Sequence, residues 1–355
     1  MRFLTILALA GSLLLGVAQA VSEPELQRSA DELIATTQIP AVVTLVEQDG
    51  QRVVVSSGHA ELGGRLARPE DRFWIGSVTK TFVATVVMQL VAQHRLRLDD
   101  TVSRYLPGRL QAGRRIRIRH LLNHSSGLPD YMLHNPWSST IYRNPQAVIP
   151  ARRLISSVAR LPLEYRPGSQ ATYSNTNYLV LGEILERVTH RSVASLLERR
   201  IFTRLGLTAT AFESAQRPLP PDEMHGYDIR VTPPQDVSLH RLGGPWADGA
   251  VVSNARDLAV FFGALLRGEL VPPALVAQMR KPFPGSHGNG LGMFKLGSPC
   301  GRWFFGNTGG TPGYLTFAAG TRDGSKLYVF AVNGVDPSAM EQIAGPYLDN
   351  LLCRN

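Results

Sequence analysis

The chain has 355 residues, a formal net charge of +9, and a composition that is 44% hydrophobic and 18% charged. That length supports a substantial core, and the lack of low-complexity tracts and fixed-period repeats excludes disordered, solenoid and propeller architectures. The charge comes from 33 Arg and 4 Lys against 28 acids. No nucleic-acid motif accompanies the cluster Arg114, Arg115, Arg117 and Arg119, so it reads as a solvated basic face and no nucleic-acid partner is expected.

Residues 1–20 read as a secretory signal peptide. Arg2 is the basic start, Phe3 to Val17 an apolar run, and Ala18-Gln19-Ala20 a small-x-small site with cleavage expected after Ala20. An uncleaved anchor is the alternative. Residue 21 is Val rather than Cys, which argues against a lipoprotein anchor at this site. No later apolar stretch approaches the roughly 20 residues that span a bilayer, so no stable membrane insertion is expected. The mature protein is expected to be periplasmic or secreted.

Pro24 to Thr37 reads as an amphipathic helix with Leu26, Ala30, Leu33 and Ile34 along one side. Ala41 to Val46 and Arg52 to Ser56 are β-branched runs flanking Asp49-Gly50, a strong hairpin signal. Residues 60–295 read as mostly helical, with helices from Ser77 to His94, Asn177 to Thr189 and Ala255 to Leu266. The first is apolar on nearly every face and so belongs in a core. Near the C-terminus, Trp303 to Phe305, Tyr314 to Ala319 and Lys326 to Val332 read as strands, Arg322-Asp323-Gly324 as a turn, and Pro337 to Leu352 as a helix. Strands at both ends of a chain are best joined in one sheet, because an isolated hairpin is only marginally stable. The expectation is therefore an α/β (α+β) fold with a five-stranded antiparallel sheet. Helices from both termini flank it, and a large all-helical lobe is inserted, with a cleft where the two meet. The boundaries are a sheet lobe of residues 21–60 and 296–355 and a helical lobe of 61–295, together one domain of 21–355. Cys300 and Cys353 can pair in an oxidising compartment; two free thiols are the other reading.

Ser77-Val78-Thr79-Lys80 opens the buried helix. Ser and Lys three residues apart share a helical face, and a helix N-terminus offers backbone N–H groups and positive potential to a developing alkoxide. Only an uncharged Lys can accept a proton. Lysine is scarce here, and one in the first turn of a core helix needs a reason. Tyr173-Ser174-Asn175 follows the turn cluster Pro167-Gly168-Ser169; Tyr173 suits a proton relay, and Asn175 carries a donor and an acceptor suited to orienting Lys80 and a substrate amide. A helix cap with a packed Tyr is the structural alternative. Asn307-Thr308-Gly309-Gly310 ends a strand with small residues, which permits close approach of a ligand's backbone, and the Gly310 N–H with that of Ser77 can form an oxyanion hole. A plain hairpin loop is the rival there.

Together these elements resemble the serine penicillin-recognising family, in its branch of class C β-lactamases, D-alanyl-D-alanine carboxypeptidases and related esterases. The resemblance extends through Phe73-Trp74-Ile75-Gly76, Arg119 to Asp130, Tyr173 to Tyr178, and Gly249 to Ser253 leading into Arg256-Asp257-Leu258. It implies a β-lactamase/transpeptidase-like fold with Ser77 as nucleophile and Lys80 and Tyr173 sharing the acid–base work. It also implies substrate binding by Asn175, Asn307, Thr308, Gly309 and Gly310. Relatives usually carry Lys or His at the position of Asn307, a cation that helps hold a substrate carboxylate; Arg302 is a candidate to compensate.

His120 and His124 have a zinc-ligand spacing, yet Leu121-Leu122-Asn123 between them lacks the metalloprotease Glu, and no phosphate loop or dinucleotide fingerprint occurs. No metal or cofactor is expected. A Gly-x-Ser-x-Gly elbow is absent, which argues against the α/β-hydrolase fold. The leading expectation is a D-alanyl-D-alanine carboxypeptidase-like hydrolase of peptidoglycan stem peptides. An esterase or weak class C-like β-lactamase is the alternative, and a penicillin-binding sensor with little turnover is a third. The substrate is thus a peptide, β-lactam or ester; the oligomeric state is not encoded in any motif.

Overall fold

The computed structural model describes residues 22–134, 143–144, 146–215, 217–240, 246–335 and 340–353; the expected leader, residues 1–20, lies outside them. Helix α1 spans Glu23–Thr36. The Glu25 carboxylate reaches back to the Ser22 hydroxyl at 2.8 Å, so one acidic side chain ties down the helix start. Strands β1 (Ala41–Gln48) and β2 (Gln51–Gly58) meet at Asp49-Gly50, where both residues have positive φ, +54° and +78°. That pair of left-handed residues is what a two-residue turn between twisted antiparallel strands demands.

Helix α2 spans Thr79–Ala92 and is buried from Thr79 through Leu90. Its ring Phe82 stacks on Phe261, which lies on the later helix spanning Ala255–Leu266. The short helix α3 (Ile118–Leu122) packs against helix α4 (Thr176–Thr189), which packs against α2, and Ala255–Leu266 is α5. Strands β3 (Phe294–Gly297), β4 (Trp303–Thr311), β5 (Tyr314–Gly320) and β6 (Lys326–Val332) follow, then helix α6 (Met340–Cys353).

The main sheet has the order β2-β1-β6-β5-β4-β3, antiparallel throughout, so the two ends of the chain meet where β1 lies against β6. Six strands replace the five expected. The added β3 carries Lys295 and a terminal glycine and is half-exposed at the edge, so no apolar alternation marks it in the sequence. Along β1, Val43 and Leu45 belong to the core on the α5 side, whereas Val42 and Val46 belong to the cluster with Leu26, Ala30 and Leu33 of α1. A strand covered on both sides needs apolar residues on both faces, which explains the nearly continuous apolar run of β1.

The inserted lobe is not all-helical. Phe73–Trp74, Val251–Ser253 and Ala211–Phe212 make a small sheet, and Tyr227–Asp228, Gln235–Asp236 and Gly334–Val335 make another. Pairs this short are stabilised by tertiary contacts and leave no periodic signal. Cys300 and Cys353 are disulfide-bonded, tying the end of α6 to the turn between β3 and β4. No described helix is long and apolar enough to cross a membrane.

Candidate active site

Ser77 sits in a single 3-10 turn, Gly76–Val78, between Phe73–Trp74 and α2. Trp74 pairs with Val252, the Ile75 N–H donates to the Val251 carbonyl at 3.1 Å, and the Val251 N–H donates to Thr79 Oγ1 at 3.1 Å. Gly76 takes φ +50°, which turns the chain sharply and leaves Ser77 at the mouth of the buried helix. Helix α2 thus aims its N-terminal end at the Ser77 hydroxyl.

The structure brings Ser77, Lys80 and Tyr173 together. Lys80 Nζ lies 2.8 Å from Ser77 Oγ, and the Tyr173 hydroxyl donates to the same oxygen at 2.6 Å. Lys80 is 1% exposed, whereas Tyr173 stands at the surface of the crevice at 36%. Two further acceptors surround Nζ at 2.8 Å: Asn175 Oδ1 and the Asp248 carbonyl oxygen. Asn175, expected to orient Lys80, immediately precedes α4 and its Oδ1 lies beside Nζ. Asp248 arrives by a route that sequence does not reveal, because the pairing of Val251–Ser253 with Phe73–Trp74 carries its carbonyl onto the lysine.

Tyr173 is stacked on His124, with ring centroids 4.4 Å apart. His124 is not on a helix with His120: α3 ends at Leu122, and His124 has φ +61°. Its Nδ1 accepts the Ser174 N–H at 3.2 Å, next to Tyr173 in the chain. Burial, the largest cause, pushes its pKa down to about 3, so the imidazole stays neutral. Among the described residues no cluster of His, Cys, Asp and Glu is arranged to hold a metal ion.

Gly309 and Gly310 run beside Gly76 and Ser77. A Cβ on Gly309 would meet the Ile75 carbonyl oxygen at 1.9 Å and Ser77 N at 2.9 Å, so only glycine lets β4 come this close. Pro312-Gly313 is a two-residue loop, which makes Thr311 and Tyr314 the closing hydrogen-bonded pair. Pairs alternate along an antiparallel ladder; Gly310, opposite Leu315, therefore turns its N–H and C=O away from β5. Strand β3 covers β4 only as far as Gly306, so residues 307–311 form an open edge, with Gly309 close against Ser77 N.

Thr308 and Gly310 lie exposed along that edge, but Asn307 does not. It is 2% exposed; its Nδ2 donates to Thr81 Oγ1 at 3.0 Å, and its Oδ1 accepts the Thr308 N–H at 2.9 Å. The side chain braces β4 against α2 beneath the crevice. Arg302 does not compensate: it precedes Trp303 at the other end of β4, roughly 20 Å of strand away from Gly309.

The Beta-lactamase family profile matches residues 26–351. The chain belongs to that family. It is similar to penicillin-binding protein 4* of Bacillus subtilis strain 168, 29% identical over 309 residues, which are 81% of this chain and 66% of that protein. It is also similar to a putative D-alanyl-D-alanine carboxypeptidase of Escherichia coli K12, 27% identical over 223 residues, 55% of this chain and 50% of that one. The chain thus spans about half to two thirds of the length of these two curated relatives. Among solved structures, a D-stereospecific amidohydrolase from Streptomyces sp. superposes with TM-score 0.80 at 30% identity, covering 88% of this chain and 95% of that one.

Proposed function

We propose that this protein is an exported serine hydrolase that forms an acyl-enzyme on Ser77 with D-alanyl peptides or the related amides and esters. The observation that carries the proposal is the convergence of Lys80 Nζ and the Tyr173 hydroxyl on one serine oxygen, at 2.8 Å and 2.6 Å. Ser77 Oγ attacks the substrate carbonyl carbon while its proton passes to the Lys80 amine. The carbonyl electron pair moves onto oxygen, which the Ser77 and Gly310 amides stabilise. Collapse re-forms the C=O and breaks the bond to the leaving amine or alkoxide, which takes its proton through Tyr173. Water then attacks the ester by the same route, releasing the acid and restoring the hydroxyl.

Two kinds of acyl donor fit this machinery. The name of one curated relative, a putative D-alanyl-D-alanine carboxypeptidase, supports a carboxypeptidase reaction on D-alanyl-D-alanine peptides. The buried, neutral Asn307 favours amides and esters, because a free C-terminal carboxylate would be desolvated without a cation to receive it. The test is the kcat/KM of an acyl-D-Ala-D-Ala peptide against its C-terminal amide and methyl ester. A preference of about tenfold or more for the neutral forms is expected. A preference for the free acid assigns the carboxypeptidase reaction instead.

A further inference from the structure

We infer that Asp130 and Tyr131 are positioning residues that set the direction in which Lys80 acts on Ser77; this rests on the assignment of Ser77 and Lys80 above. Nζ has three oxygen neighbours, all at 2.8 Å: Ser77 Oγ, Asn175 Oδ1 and the Asp248 carbonyl. An uncharged amine has two N–H donors and one lone pair. A carbonyl and an amide oxygen can only accept, so they claim both donors. The lone pair is then left facing Ser77, the one neighbour of the three with a proton to give. The direction of catalysis follows from keeping those two acceptors in place.

Each acceptor is held by one of two consecutive residues. Asp130 Oδ2 accepts Asn175 Nδ2 at 2.9 Å and the Asn175 N–H at 3.2 Å. With its amide nitrogen committed there, Asn175 cannot flip, and Oδ1 stays turned to Lys80. The Tyr131 hydroxyl donates to Asp248 Oδ2 at 2.8 Å, and Asp248 Oδ1 accepts the Trp246 N–H at 3.1 Å. The Asp248 side chain thereby anchors its segment and leaves its backbone carbonyl aimed at Nζ. These bonds cross 45 and 117 residues of chain.

The pair itself is well anchored. The Tyr131 N–H donates to Thr176 Oγ1 at 3.0 Å, and that hydroxyl donates to the Pro129 carbonyl at 2.7 Å, fastening the turn to the start of α4. Asp130 Oδ1 accepts the Met132 N–H at 3.0 Å. Burial, then the facing Asp248 carboxylate, pushes the Tyr131 phenol well above its ordinary range, so it remains a donor.

The experiment is stopped-flow acylation by the p-nitrophenyl ester of N-acetyl-D-alanine, following the p-nitrophenolate burst, for Tyr131→Phe and Asp130→Asn, with thermal melts to count folded protein. Each folded variant should acylate about ten- to a hundredfold more slowly, with the apparent dissociation constant of the ester changed by less than about twofold. A purely structural role would lower the melting temperature while folded molecules acylated at the wild-type rate. Acylation within about threefold of wild type in the folded variants, or a loss that appears only as weaker binding, overturns the inference. If one variant fails to fold, the other carries the same test. Ser77→Ala separates the two layers: a persisting burst there removes the nucleophile assignment itself, whatever the positioning variants do.

Discussion

Replacing Gly309 with Ala probes the closeness of β4 to the nucleophile. The added Cβ would stand 1.9 Å from the Ile75 carbonyl oxygen and 2.9 Å from Ser77 N, where real Cβ contacts stay beyond 3.0 Å. The strand must therefore draw back by about 1 Å, since both neighbours are backbone and cannot rotate aside. That retreat parts the Gly310 amide from the Ser77 amide. Loss of one oxyanion donor costs about a hundred- to a thousandfold in kcat, and overpacking costs about 1–3 kcal/mol of stability. Burst kinetics with an activated ester and thermal melts measure the two effects separately. Gly310→Ala is the contrast, because its Cβ meets nothing within 4 Å, and its loss should be at least about tenfold smaller. Equal losses in the two variants, or a Gly309→Ala enzyme within about threefold of wild type, would refute the packing argument.

His124 titrates at about 3 in the folded chain against 6.5 for the free side chain, so the unfolded chain binds the extra proton between those values. Stability is then fully present above about pH 6.5 and is lost as pH falls toward 3. His124→Gln should flatten that slope in urea melts, leaving the smaller share of His120, whose burial lowers it to about 4. An unchanged slope contradicts the burial of a neutral ring. Cutting the Cys300–Cys353 bond by Cys300→Ser opens a 53-residue separation and should cost up to about 4 kcal/mol, while acylation stays within about twofold, since the bond lies at the far end of β4. Thermal melts with and without reductant, alongside burst rates, check both halves. Asn307→Lys should raise the ratio of kcat/KM for acyl-D-Ala-D-Ala over its amide by about tenfold; an unchanged ratio dissociates position 307 from carboxylate recognition.

The features legible in the sequence were those written in local chemistry. Asp49-Gly50 named its hairpin because few other pairs tolerate two positive φ angles in succession. The lysine of Ser77-Val78-Thr79-Lys80 stood out because a helix buried on every side has no bland use for one. What stayed hidden depends on chain segments far apart. Strand β4 runs on through Asn307-Thr308-Gly309-Gly310 to Thr311, although local propensity reads a strand end there, because β5 supplies a partner for each residue. The Asp248 carbonyl could not be foreseen at Lys80, since a backbone atom has no residue signature and the contact spans 168 residues. Asn307 was expected to face substrate; its burial follows from the strand's alternation, which puts positions 307 and 309 on the side of α2.

The most direct measurement is the mass of the protein quenched during turnover of an N-acyl-D-alanyl ester, followed by mapping of the modified peptide. A single acyl group on Ser77, absent in Ser77→Ala and formed far more slowly in Lys80→Ala and Tyr173→Phe, is the expected result. An adduct on another residue, or undiminished turnover by Ser77→Ala, contradicts the account.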